Sequence, residues 1–149
     1  MYIQSFLHNL SVDTGKLRLY KHLKSVYTME NYLHTKDFDV RSAICKLRVS
    51  AHTLEVERGR YKQLPVNERI CKYCTGKAVE DEMHFICHCP HYSTERDKLF
   101  KLINKFFPSF AHRNELQKTA FLLAPPNAYV SQNVGNFILH CIQKRNQTQ

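Results

Sequence analysis

The chain has no apolar run long enough to span a bilayer, no glycine-rich phosphate loop, no internal repeat and no convincing strand alternation beyond what a short hairpin needs. These absences set aside a membrane-spanning helix, a P-loop or dinucleotide-binding fold, a repeat array and an all-β architecture. The segment Met1 to Leu10 lacks a basic start, a sustained apolar stretch and a small-residue cleavage site, which predicts that it is not a secretory signal. Acidic side chains are scarce: 13 Asp and Glu stand against 22 Lys and Arg, giving a net charge of +9 with neutral histidines. Such a balance points to polyanionic partners, RNA or DNA ahead of an acidic membrane surface. Hydrophobic content of 43% in 149 residues suffices for one domain with a real core, so stability need not rest on a metal alone.

Cysteine and histidine are concentrated in one place. Cys71 and Cys74 form a Cys-x-x-Cys hook, followed by His84 and Cys89, so three thiolates and one imidazole can close a tetrahedron around a single structural Zn²⁺. Two residues between the first pair allow a tight turn. Gly76 just beyond is expected to supply its positive φ, with backbone N–H groups turned to the sulfurs. Cys87, His88 and His91 crowd the second pair, and spacing alone does not separate them from His84 and Cys89. Pro90, which can open a helix at its first position, favours Cys89 because it fixes where that sulfur points. Clustered cysteines without a secretory signal predict a reducing compartment, nucleus or cytoplasm, and metal binding over disulfide pairing. Cys45 and Cys141 stand alone in apolar patterns and read as core thiols. Glu80, Asp81 and Glu82 precede His84; they are expected to orient a ligand or form a solvated acidic turn, not to do acid–base chemistry.

The rest of the chain predicts a mainly α fold of about five helices around this CCHC-type zinc-binding turn or short hairpin. Residues 1–15 read as the tail of an upstream domain, 16–62 as basic helices, 63–92 as the zinc segment and 93–149 as C-terminal helices. Asp13 or Thr14 is expected to cap a first helix carrying Leu17, Tyr20, Leu23 and Tyr27 on one face and cations on the other, with Tyr20, Tyr27 and Tyr32 as potential stacking platforms. Asp37 or Asp39 caps the next, whose stripe Val40, Ala43, Ile44, Leu47, Ala51 and Leu54 predicts about four unbroken turns ending at Gly59. Tyr92, Leu99, Ile103, Phe106 and Phe107 mark a helix ended by Pro108, and Asn114 starts another. Asn127 begins the last, with Val130, Val134, Phe137, Ile138, Cys141 and Ile142 inward and Lys144 and Arg145 complementing its C-terminal dipole. The final Asn-Gln-Thr-Gln is expected to fray.

Two segments are specific enough to compare: Ser50, His52, Leu54, Glu57, Gly59, Arg60 and Tyr61, then, beyond Cys71 and Cys74, Glu80, Asp81 and Glu82 with His84, Phe85, Cys89 and Pro90. Together they resemble the zinc-binding region downstream of the polymerase in LINE-type, non-LTR retrotransposon reverse transcriptases, over most of the chain from about Lys16 onward. The resemblance implies Cys71, Cys74, His84 and Cys89 as metal ligands and a module that helps hold template RNA or target DNA. No adjacent Asp-Asp pair of the polymerase kind occurs, nor any endonuclease-like segment, so no catalytic residues are assigned. The expected contacts to a nucleic-acid backbone are Arg58, Arg60, Lys62, Arg69, Lys72 and Tyr73. The alternative expectation is a zinc-stabilised structural or protein-interaction domain. Neither involves a membrane or a small-molecule substrate.

Overall fold

The computed structural model of the protein describes residues 16–148. Among these, the architecture is helical: α1 (Tyr20–Leu23), α2 (Phe38–Arg48), α3 (Glu55–Tyr61), α4 (Ser93–Phe106), α5 (Glu115–Leu123) and α6 (Ala128–Gln147) are joined by 3-10 and π turns. In place of a sheet there is one isolated antiparallel bridge, Ile70 to Val79. The mainly α fold with a central Cys/His turn is therefore found. The expected caps Asp13 and Thr14 lie outside the described residues.

Helix α6 is the spine, packing on α2, α4 and α5. Asn127 caps it, its side chain accepting from Val130 N at 2.9 Å, and the stripe Val130, Val134, Phe137, Ile138 and Cys141 is buried as expected. Each such aliphatic side chain contributes about 1.5–3 kcal/mol by leaving water. Its closest partner is α2, capped by Asp37, which accepts from Asp39 N at 2.9 Å and Val40 N at 3.2 Å. Gly135 is what lets the two approach. A Cβ there would lie 2.4 Å from Val40 Cγ1 and 3.0 Å from Val40 Cα.

Several expectations about helices change. The long stripe from Val40 to Leu54 is two helices, because Ser50 turns left-handed (φ 53°) and ends α2 with Ala51 N bonded to Lys46 O at 2.8 Å and Ser50 N to Leu47 O. This is a Schellman stop on a non-glycine residue. Gly59 is not a stop either. It sits inside α3, where a Cβ would lie 2.4 Å from Arg69 Cγ, and the stop falls on Gln63 (φ 57°), with Leu64 N bonded to Gly59 O at 2.9 Å. Finally, α1 is a single turn. Tyr27 is 88% exposed instead of core, since Lys24 pairs with Glu30 and closes the loop after Leu23. Phe106, at 53%, also faces out, and α6 remains helical through Asn146 and Gln147, where fraying was expected.

Candidate metal centre

The hook is built on the Ile70–Val79 bridge. Cys71 N donates to Ala78 O and Glu80 N to Arg69 O, both at 2.9 Å, which sets the two arms of the turn. The left-handed residue in it is Lys77 (φ 48°), and no described glycine has positive φ, so Gly76 does not play the part expected of it. Backbone N–H groups do reach the sulfurs, from Tyr73 to Cys71 and from His91 to Cys89.

The other two donors come from a π turn, His84–His88, closed by Cys89 N donating to His84 O at 2.7 Å. At 100° per residue an α-helix would place positions 84 and 89 about 140° apart around its axis. The wider turn, with its i→i+5 bond, returns Cys89 to the side of His84. Arg96 holds this turn, donating from Nε to Ile86 O at 2.9 Å and from Nη2 to Cys89 O. Pro90 then opens a 3-10 turn that runs into α4.

The ligating atoms of Cys71, Cys74, His84 and Cys89 all lie within 4.8 Å of one another. Cys71 Sγ is 3.8 Å from Cys89 Sγ, and Cys74 Sγ is 3.6 Å from His84 Nε2. Bond lengths of roughly 2.3 Å to sulfur and 2.0–2.1 Å to nitrogen require edges of about 3.8 Å and 3.6 Å in a regular tetrahedron. The four side chains therefore fit a single metal ion. The competing residues face elsewhere. Cys87 Sγ lies 3.5 Å from Thr119 Oγ1, His88 Nε2 lies 2.9 Å from Glu115 Oε2, and the His91 ring packs between Tyr73 and Tyr92.

Without a cation the thiols cannot all ionise. Its hydrogen bond to Cys89, together with burial, pushes Cys71 up to about 12, while the same bond lowers Cys89. A metal ion replaces that shared proton, so loading releases protons.

The acidic triplet is not a solvated turn. Glu80 and Glu82 are buried. Glu80 receives Arg145 Nη1, accepts from Glu55 N at 2.8 Å and lies 3.8 Å from Cys71 Sγ, while Asp81 accepts from His84 N at 2.8 Å. Glu82 accepts from Arg18 Nη2 at 2.8 Å and approaches His52 Nε2 at 2.8 Å and Ser50 Oγ at 3.3 Å. These bonds explain why Ser50, His52 and Glu57 accompany the hook in sequence: Glu57 takes the same Arg18, at 2.6 Å. Arg145 was expected to serve its own helix dipole; instead it crosses to the hook, also donating to Thr53 O at 2.9 Å and stacking 4.4 Å from the Tyr73 ring centre. Lys144 likewise reaches His91 O at 2.7 Å. Nothing in the helical periodicity distinguishes Arg145 from an ordinary C-terminal cation.

The cations beside the hook divide. Arg69 is spent on backbone carbonyls, Leu64 O at 2.7 Å and Val56 O at 2.9 Å, and Tyr73 is covered by Arg145. Arg58 and Lys72 both reach Glu55, at 3.5 and 3.1 Å, and Arg60 reaches Glu57 at 2.9 Å while lying over the Tyr61 ring. Lys62 is exposed. Of the tyrosine platforms, Tyr20 and Tyr32 flank the buried Arg48, with ring centres 5.6 and 5.0 Å from its guanidinium. Among the described residues no helix is long and apolar enough to cross a membrane.

No protein-family model matches this chain, and neither a curated protein nor a solved structure matches it.

Proposed function

We propose that the protein is a zinc-stabilised accessory module that binds a nucleic-acid backbone and carries no catalytic centre of its own. The observation that carries this reading is a closed donor set of three sulfurs and one nitrogen, with Lys72 inside the hook and Arg58, Arg60 and Lys62 along the C-terminal half of α3, the helix whose Glu55 N bonds Glu80. Thiolate and imidazole donors in a tetrahedron suit Zn²⁺, and four protein ligands make the ion structural. Cys71, Cys74, His84 and Cys89 would hold it. Arg69 and Tyr73 shape the hook from within; of the other four, Lys62 supplies charge directly, and Arg58, Lys72 and Arg60 do so by exchanging the half-exposed or exposed side of their pairs with Glu55 and Glu57 for phosphate. The resemblance of the Ser50–Tyr61 and Glu80–Pro90 segments to the region downstream of retrotransposon polymerases supports the same role, in the nucleus or cytoplasm.

The test is single-stranded nucleic-acid binding measured across a salt series. Four phosphate contacts give a slope of log K against log salt of about −3, and a slope near zero contradicts the reading. A second reading, a protein-interaction scaffold, draws support from the exposed sequence neighbours Val26, Tyr27 and Met29, at 62%, 88% and 66%. One stoichiometric protein partner recovered after nuclease treatment, and lost on Tyr27→Ser, would favour it.

A further inference from the structure

We infer that the groove between α4 and α6, away from the metal hook, is a binding track for single-stranded RNA. The inference rests on the nucleic-acid reading above and places the contact on a different surface.

The two helices run antiparallel, Glu95 meeting Lys144 near one end and Phe106 meeting Tyr129 at the other. Between these ends the groove's lining runs from Glu95 to Leu102 of α4, roughly 11 Å at the rise of a helix. It is lined by Lys98 and Leu102 on one side and by Asn133, Asn136 and His140 on the other. Lys105 continues the cationic edge two turns beyond Lys98, and Lys101 lies beside it; all three are exposed and none forms an ion pair among the described residues. The one carboxylate in the groove, Glu95, is neutralised by Lys144 at 3.2 Å. Asp97 projects about 140° from Leu102 around the helix, away from the groove.

Three features select the occupant. Lys98 and Lys105, on an edge whose one groove carboxylate is already paired with Lys144 and with Asp97 turned to the side of Lys101, suit phosphates. Beyond the groove the Tyr129 ring, 54% exposed and set edge-to-face 5.6 Å from Phe106, whose own ring carries Lys105 Nζ 5.7 Å from its centre, leaves aromatic surface in water, as a stacking platform for an unpaired base does. A duplex, with its bases stacked, has no use for it. The third feature is an acceptor. Asn133 lines the groove and donates its amide to Tyr129 O at 2.8 Å, so its Oδ1 is the atom left to accept, whereas Asn136 uses its oxygen to accept from Gln132 at 3.3 Å and keeps a donor. Phosphate offers nothing to an acceptor. A ribose 2′-hydroxyl both donates and accepts, so the pair fits RNA over DNA.

The experiment measures anisotropy of labelled oligouridine, of oligodeoxyuridine of equal length and of an RNA duplex, with wild type, Lys98→Glu/Lys105→Glu, Tyr129→Ala, Asn133→Ala, and Arg60→Glu/Lys62→Glu/Lys72→Glu at the hook. All substituted positions are exposed or half-buried, and melting temperature and metal content confirm folding. Wild type should prefer oligouridine, Lys98→Glu/Lys105→Glu should weaken it at least about tenfold, and Tyr129→Ala should weaken it by about fivefold or more. Asn133→Ala should erase the preference for ribose. If groove variants bind as wild type while the hook variant fails, the inference falls and the nucleic-acid reading stands. If wild type binds none of the probes, both fall. Equal binding of the deoxy probe or the duplex overturns the assignment to single-stranded RNA, and displacement by poly-glutamate at equal concentration overturns it in favour of an acidic protein.

Discussion

Along α6 from Val130 to Ile138, Val130, Val134 and Ile138 are buried against apolar neighbours; near its end Arg145 is just as buried, at 1% exposure, but against Glu80. One helix thus serves two regions held by different forces. The α2–α6 side rests on close packing, with Gly135 fitted against Val40. The hook side has one bridge and a π turn for secondary structure, and beside the apolar Phe85, Ile86 and Tyr92 its buried contacts are ion pairs, caps and sulfur donors. Apolar packing tolerates small adjustments, each costing its own share. A buried charge network does not, because any member removed leaves a partner unsatisfied in a low-dielectric place.

The sharpest way to break this contrast is to remove the metal. Chelation should abolish amide protection at Cys71, Glu80 and Cys89 while Ile44 and Ile138 retain theirs, since structural zinc is worth on the order of 10 kcal/mol to a small site and little to a distant core. Hydrogen exchange with and without chelator checks it, and simultaneous loss everywhere would show that the two regions are one cooperative unit.

Arg145→Met comes next. It leaves the Glu80 carboxylate buried without its cation and should cost about 3–5 kcal/mol in urea denaturation, with Glu80→Gln added to it recovering part of the loss. If Arg145→Met costs no more than an exposed-site change, the ion pair does not hold α6 to the hook.

On the apolar side, Gly135→Ala gains roughly 0.5–1 kcal/mol of helix preference. It also drives a methyl into Val40, whose backbone cannot easily retreat, at about 1–3 kcal/mol. The clash should win, and Val40→Ala in the same chain should give part of it back. A net stabilisation by Gly135→Ala would show that α2 has room to move.

The smallest effect concerns Glu95. Burial would raise its pKa, but its own backbone N–H and Lys144 outweigh that and hold it below the ordinary 4.5. A depressed carboxylate stabilises the fold above its unfolded pKa, and that contribution disappears as pH falls through the folded value. The pair is partly exposed, so only about 0.2–1 kcal/mol is involved. Wild type should lose that much more than Lys144→Met between pH 6 and pH 3, as measured by denaturation at each pH.

The same contrast governs what could be read from the residues alone. Periodicity located α2, α4, α5 and α6, because a stripe repeating every three to four residues reports packing directly, and residue type located the caps Asp37, Asn114 and Asn127. It joined α2 to the segment before α3, since Ala51 and Leu54 kept the stripe in phase and a left-handed Ser50 carries no compositional mark. The four candidate donors were legible because thiolate and imidazole spacing is itself the chemistry. What surrounds them was not. The π turn, Arg96 on its carbonyls, and the Glu80–Arg145 pair join residues far apart in sequence, and pairing of that kind has no local period. The surface cations were counted correctly as charge, yet Arg69 and Arg145 turned out to be structural, a distinction only three dimensions make.

The most direct measurement is metal stoichiometry of the purified protein beside single variants at each thiol and imidazole of the segment. Wild type, Cys87→Ser, His88→Ala and His91→Ala should each retain one zinc per chain, and Cys71→Ser, Cys74→Ser, His84→Ala and Cys89→Ser should each lose it or bind it far more weakly. Full retention by the Cys89→Ser protein, or loss on Cys87→Ser, would contradict the four-residue site.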